Sequence, residues 1–219
     1  MAAGQTLDNQ PGSGLGAKKK QRDRLRRLAQ RHPEWELGYL DEVWWSRLAQ
    51  PAMHAWGSFK EPLRLVQREK VAHEPEPVAL ACYGLLRPAL NQVWLRFVQG
   101  RPVSHVTVEF LTWVGERLAQ EGKTAWLLVW DNASWHRSHE VKTWIQQHNR
   151  KAKEPGGVRI IVAHLPIKSP WLNPIEAHWV HGKRAIVEPQ RRLTAPELME
   201  RVCAYYECEQ FEHLSQQVA

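Results

Sequence analysis

The six residues Ala125 to Trp130, AWLLVW, run apolar without interruption and end on Asp131. A strand with one wet face alternates apolar and polar side chains, so an unbroken run of this length fits a central strand covered on both faces. That places it in the middle of an α/β sheet, with an acid at its carboxyl end. The residues downstream extend the unit. A helix is expected from about His136 to His148, then a Pro155-Gly156-Gly157 loop, then a strand over Val158 to Ala163.

A second apolar stretch, Trp35 to Leu40, runs directly into Asp41 and Glu42 and reads as a buried strand with acids at its end. Strands are also expected at Leu63 to Gln67, Val78 to Leu86 and Gln92 to Val98. The last two are separated by the turn signal Arg87-Pro88, making an antiparallel meander. From Val103 to Gln120 the period changes: Val106, Phe110, Val114 and Leu118 recur four apart, the spacing of one helical face, until Glu121-Gly122 stops it. Asn173-Pro174-Ile175-Glu176 reads as a helix start with Asn as N-cap and Pro at the first position, and puts Ile175, Trp179 and Ile186 on one face. Thr194 to Glu197 has the form of a capping box and opens a last helix with Leu198, Val202 and Tyr205 inward.

At 219 residues the chain accommodates one sizeable domain with its own core, and no apolar run approaches a membrane-spanning length. The first residues lack the charged-then-apolar pattern of a secretory signal, and Cys82, Cys203 and Cys208 are an odd number at no metal-ligand or disulfide spacing. A water-soluble, cytoplasmic protein is expected. The net charge of +7 is concentrated at the start: residues 1 to 33 carry eight Lys and Arg, among them Lys18, Lys19, Lys20 and Arg24, against Asp8 and Asp23. Residues 1–33 are therefore read as a basic arm, its first seventeen residues disordered and a short helix running from Asp23 to Gln30. Residues 34–219 are read as the folded domain that carries the core. The arm either neutralises nucleic-acid phosphates or is a solvated tail; composition fits both.

Asp41 and Asp131 at the ends of two strands, with Glu176 on a following helix, could close one acidic site. A few carboxylates on separate elements suit Mg²⁺, which completes its shell with water and substrate phosphate. Each acid also has a plain structural reading: a strand terminus, an Asp-Asn turn, and a helix-cap partner favoured by the dipole.

Val129 to Ser138 (VWDNASWHRS) and Leu165 to Arg184 (LPIKSPWLNPIEAHWVHGKR) resemble the second and third catalytic motifs of DDE transposases of the mariner superfamily, in the branch of the bacterial insertion sequence 630 elements. Tyr39 to Gly57 is similar to the first motif, an Asp-Glu pair followed by a downstream Trp. The resemblance covers Trp35 onward and implies an RNase H-like fold, a mixed five-stranded sheet flanked by helices. It implies that Asp41, Asp131 and Glu176 are catalytic metal ligands, with Glu42 as the alternative first acid. It further implies that His136, Asn132 and Asn173 position substrate. The cofactor implied is a pair of Mg²⁺ ions, with Mn²⁺ as a substitute. The reaction implied is cleavage and strand transfer of mobile-element DNA, in a homodimer, at a TA target, in a bacterial nucleoid-associated protein with no membrane partner. Asp131 and Glu176 are separated by 44 residues, more than is usual in the family, and the excess is placed in the loop Asn149 to Gly157. The stretch before Trp35 is too short for the family's helix-turn-helix modules, so a separate DNA-binding subunit or reading frame is expected to recognise the element ends.

His136 and His139, and His178 and His181, form two pairs at three-residue spacing that permit zinc on a helix, yet no His-Glu-x-x-His accompanies them. Of the twelve tryptophans, Trp126, Trp130, Trp144 and Trp179 lie on apolar faces and are read as core. Lys183 and Arg184 follow Glu176 along one helix, where they either contact phosphate or line a solvated face. The readings that compete with a transposase are a DNA-binding remnant without catalysis and an RNase H-like nuclease without strand transfer.

Overall fold

The computed structural model describes residues 14–47, 75–167, 169–186 and 192–215. The strand expected at Leu63 to Gln67, the downstream half of the Tyr39 to Gly57 segment and the first thirteen residues lie outside the described residues. So do the side chains of Lys18 and Lys19. Among the described residues the strands are β1 (Trp35–Ser46), β2 (Ala79–Arg87), β3 (Gln92–Gln99), β4 (Ala125–Trp130), β5 (Arg159–His164) and β6 (Leu214–Ser215). The helices are α1 (Gly14–Arg31), α2 (Ser104–Gln120), α3 (His139–Lys151), α4 (Pro174–Ile186) and α5 (Ala195–Tyr205). No helix of the described residues is long and apolar enough to cross a membrane.

One mixed sheet runs in the order β5-β4-β1-β2-β3-β6. The meander β1-β2-β3 is antiparallel, while β4 pairs parallel with β1 on one side and with β5 on the other. Every residue of the AWLLVW run is buried. Its alternate side chains feed two cores: Leu127 and Val129 join α1, α4 and α5 on one face of the sheet, and Trp126, Leu128 and Trp130 join α2 and α3 on the other. Within the second core, the four-residue ladder Val106, Phe110, Val114 and Leu118 of α2 is fully buried. Each such side chain contributes roughly 1.5–3 kcal/mol by leaving water.

Several boundaries differ from expectation, each for a local reason. A sixth strand is present, because Leu214 and Ser215 pair parallel with Val98 and Gln99 at the β3 edge, in a segment too short to show a period. β1 runs on past the acids to Ser46, because β2 pairs with it from Tyr39 to Ser46. α1 begins at Gly14 and not at Asp23. Leu25, Leu28 and Ala29 dock it on the core, and an anchored helix propagates through polar residues that would not nucleate one. α3 starts three residues late because Ser138 caps it, its hydroxyl accepting from the Val141 amide at 3.2 Å. α3 also takes in Asn149 to Lys151, part of the expected loop. Asn149 explains this: its amide group bonds both the N–H of Ile160 at 2.7 Å and the carbonyl of Ile160 at 2.8 Å, fastening α3 to β5. The capping box at Thr194 and Glu197 forms as read. At the far end of α5, Tyr205 is exposed and Tyr206 takes the inward place, its hydroxyl donating to His178 O at 2.8 Å.

At the end of the sheet away from Asp131, Arg87 is 1% exposed and donates to Glu36 Oε2 at 2.9 Å and to Glu121. Its guanidinium also lies 4.2 Å over the Trp94 ring. Removing one partner of such a cluster strands a buried charge. Arg87→Ala is expected to lose about 3–5 kcal/mol in urea unfolding, and Glu36→Gln combined with Arg87→Met to recover much of that loss. Equal losses in the two variants would show that the stranded charge of Glu36 is not the source of the loss.

Candidate active site

The cleft arises where two parallel strands part. β1 and β4 pair from Trp35↔Ala125 to Tyr39↔Val129, after which, among the described strands, β1 continues its pairing with β2 alone. The backbone of β1 freed at Leu40 is taken up by α4, whose preceding residue Asn173 donates its Nδ2 to Leu40 O at 3.3 Å. The Asn173 side chain is thus a brace between α4 and β1 and not the helix cap expected, and its Oδ1 is buried without a hydrogen-bond partner. On the other side, Asn132 Nδ2 donates to Leu165 O, clipping the exit of β4 to that of β5. Between these braces lies a cleft of about 280 Å³ lined by Asp131, Asn132, Ser169, Asn173 and Glu176.

Asp41 and Glu42 are neighbours on a strand and so face opposite sides of the sheet. Asp41 faces α4, where it is 9% exposed and its Oδ2 accepts from Trp179 Nε1 at 2.9 Å. Burial, then the charges of Glu42, Glu176 and, more weakly, Asp131, push its carboxyl up to about 8, against a smaller opposing effect of the Trp179 bond. Gly84, directly across from Asp41 on β2, makes room for this contact: a Cβ there would overlap the Trp179 ring.

Glu42 faces the other core and has a different partner. His136 is buried, with Nδ1 2.8 Å from Asp131 Oδ1 and Nε2 2.8 Å from Glu42 Oε1, and its ring stacks on Trp130 at 4.3 Å. An ionised carboxylate only accepts, so both ring nitrogens donate and the ring is an imidazolium. Although burial disfavours that charge, Glu42 and Asp131 outweigh it and raise His136 to about 9. Asp131 gains in turn: burial would raise its carboxyl, but bonds from His136 and from the Ala133 amide at 2.9 Å hold it below the usual range. Glu176 is raised by burial, against an opposing effect of Lys183, with a smaller upward push from Asp131.

The structure therefore gathers Asp131, Glu176, Asn132 and Asn173 at one cleft, with Asp41 electrostatically coupled to both cleft acids. His136 does not line the cleft; it lies behind Asp131. Lys183 and Arg184 are exposed on α4, and Arg24 and Lys20 on α1. Sequence reasoning missed Trp179 as the donor to Asp41, Gly84 as its clearance, and Glu42 as the partner of His136. The alternation of a strand already separates Asp41 from Glu42, but which face carries the site follows only from the packing of α4.

A family model described as DDE superfamily endonuclease matches residues 89–198, half of the chain, including Asp131 and Glu176. The chain belongs to this family. The comparison with curated proteins finds no match. Among solved structures, the chain is similar to the Mos1 transposase in its paired-end complex with the left transposon end, at a TM-score of 0.60 and 13% identity over 96% of this chain and 60% of that one. It is similar to the catalytic domain of the Mos1 mariner transposase at a TM-score of 0.53 and 12% identity, over 96% of this chain and 87% of that one. The fold is thus that of an RNase H-like transposase catalytic domain, and the chain spans about 60% of the length of the transposase in the paired-end complex.

The donor set of the cleft fits a hard divalent cation: carboxylates lifted at Asp41 and Glu176 first by burial and then by neighbouring acids, and Asn173 Oδ1, buried without a hydrogen-bond partner among the described residues, all oxygen. Among the described residues no group of three His, Cys, Asp or Glu side chains closes on an ion by itself. Asp41 is drawn to Trp179 and Asp131 to His136, and a Mg²⁺ site normally completes its shell with water and phosphate.

Two predictions rest on this geometry. Because Asp41 binds its proton more tightly folded than unfolded, the stability it contributes is complete below about pH 4 and is lost as pH rises toward about 8. In EDTA, wild-type unfolding free energy should fall across that window, by up to roughly 1.4 kcal/mol per pH unit, and Asp41→Asn should flatten the profile and be the more stable protein at pH 8. Parallel profiles would remove Asp41 as the source. Gly84→Ala, by displacing the Trp179 ring, is expected to cost about 1–3 kcal/mol and to shift the Trp179 indole N–H resonance away from its hydrogen-bonded position.

Proposed function

We propose that this chain is the catalytic domain of a DNA transposase, cutting DNA strands at the ends of a mobile element and joining the freed 3′ hydroxyl to target DNA. The observation that carries this reading is the meeting of Asp131 and Glu176 at one cleft, inside the segment that matches the endonuclease family, with Asp41 coupled to both. The Mos1 structures that share the fold include complexes with transposon-end DNA, with Mn and with Mg.

Asp41, Asp131 and Glu176 are proposed to hold two Mg²⁺ ions, with Mn²⁺ as a substitute. When bound, such a pair acidifies the attacking water and takes up charge on the leaving oxygen. The protein's own groups supply the rest. Asp131 presents its free oxygen to the cleft because the other is occupied by His136 and the Ala133 amide. Asn132 and Asn173 hold the cleft open by bracing its walls, and Asn173 Oδ1 remains available to a substrate or metal-bound water. Glu42, held by His136 on the opposite face, is not assigned as a ligand.

DNA is proposed to approach along two basic elements. Lys183 and Arg184 follow Glu176 on α4. On α1, Arg22 Nη1 donates to Leu172 O at 3.4 Å, so the N-terminal half of that helix, with Lys18, Lys19 and Lys20, extends toward the cleft end of the sheet. Arg24 is exposed on the same helix. Residues 1–33 are thus proposed to serve as a DNA-binding arm, of which α1 docks on the sheet through Leu25, Leu28 and Ala29. A homodimer joining two element ends, a TA target, end recognition by a separate subunit or reading frame, and action at the bacterial nucleoid complete the proposal.

Asp131→Asn and Glu176→Gln are expected to lower Mg²⁺- or Mn²⁺-dependent nicking of element-end DNA roughly a thousandfold, about 4 kcal/mol, with far-UV dichroism unchanged. Undiminished nicking by either variant would sink the assignment. Nicking without strand joining would point to a nuclease, and DNA retardation without nicking under any divalent metal to a binding remnant. Lys183→Ala and Arg184→Ala are each expected to reduce the slope of log K against log salt by about one if the side chain contacts phosphate.

A further inference from the structure

We propose that Glu42 and His136 are positioning residues for Asp131: Glu42 fixes the buried His136 ring, which pins one oxygen of Asp131 so that the other is presented to the cleft. This rests on the reading of Asp131 as a metal ligand, and it gives Glu42 a role that neither its place beside Asp41 nor the family match assigns.

The geometry of the chain of contacts is specific. His136 Nε2 lies 2.8 Å from Glu42 Oε1 and His136 Nδ1 2.8 Å from Asp131 Oδ1, so one buried ring joins two carboxylates from different strands. Glu42 is oriented from a further side by Trp135, whose Nε1 donates to the same Oε1 at 3.2 Å. The His136 ring is clamped by stacking on Trp130, interplanar angle 11°, and by the edge of Trp135. Asp131, by contrast, is open: its side chain is 52% exposed while that of His136 is 0% exposed. A half-exposed carboxylate on a loop has several rotamers available. Two donors on one oxygen, from His136 and the Ala133 amide, select among them and, among the described residues, leave Oδ2 unengaged.

The same contacts give Glu42 a structural purpose, since a side chain without an acceptor oxygen there would leave the buried His136 Nε2 without a partner. Outer partners of this kind typically change metal affinity 10- to 100-fold when removed. The tryptophans serve a second purpose, since they keep water from competing for the His136 nitrogens.

The test uses the full chain, purified without metal, in two readouts. The first is amide exchange at Ala133, whose N–H donates to Asp131 Oδ1 and so reports whether that carboxylate is held. The second is Mn²⁺ affinity from the free-ion electron paramagnetic resonance signal. His136→Ala should speed Ala133 exchange and weaken Mn²⁺ binding roughly 10- to 100-fold, at temperatures well below its own melting point. Glu42→Gln should do both to a smaller extent in the wild type and have no further effect in the His136→Ala background. Should His136→Ala fail to fold, His136→Asn, whose amide still donates to one of the acids, replaces it in the same cycle. Unchanged Ala133 exchange overturns the proposal, as does an effect of Glu42→Gln on Mn²⁺ affinity that survives without His136, because Glu42 would then act directly. If wild-type chain binds no Mn²⁺, the metal-ligand reading of Asp131 fails, and the exchange readout still decides whether His136 holds it.

Discussion

Parallel pairing between β1 and β4 ends at Tyr39 and Val129, and most of what is distinctive in this molecule follows from that ending. A strand released on one side exposes backbone polar groups that need partners. Here Asn173 supplies one, and in doing so it sets the approach of α4 to the sheet. With α4 in place, Trp179 reaches Asp41 and Glu176 faces the space between the parted strands. On the opposite side the chain leaving β4 turns at once, so Asp131 cannot continue a ladder and becomes available to the cleft. The cleft is therefore a gap in the sheet's own hydrogen bonding, and its acids stand where the regular structure stops.

Repulsion among those acids is the electrostatic counterpart of the gap. Asp41 is buried near three other carboxylates and holds its proton far above the usual range, whereas Asp131, provided with an imidazolium and an amide, gives its proton up readily. Two aspartates in one site are thus set apart by their surroundings, one by an aromatic wall and the other by a positive ring. This is the pattern expected of groups that serve a function, since burial without compensation destabilises the fold that carries it.

The layering was legible in the residues because it follows from simple periodicities. An unbroken apolar hexamer could only be a covered strand, and the four-residue ladder of α2 could only be a buried helix face. Asp131 and Glu176 were legible for a different reason: they sit in dense motifs whose turn, cap and acid occupy adjacent positions. What the sequence hid was long-range. Nothing near Asn173 signals that its side chain would leave its own helix for Leu40, 133 positions away. Gly84 reads as a weak point in a strand until the Trp179 ring is seen to occupy the space where its side chain would be. The two-residue β6 and the early start of α1 are likewise consequences of docking, which no local propensity records.

Asp41 and Glu42 are adjacent, yet they belong to different cores, one acid beside Trp179 and the other beside His136. The strand that carries them is consequently intolerant of length change in a way that a loop-borne site is not. Loss or gain of a single residue between Trp35 and Leu40 would swap the two acids across the sheet, placing the longer side chain against Trp179 and the shorter one out of reach of His136. Evolution of this chain can vary the composition of that stretch far more freely than its length, and can insert residues only beyond the strand, where spacing carries no facing information.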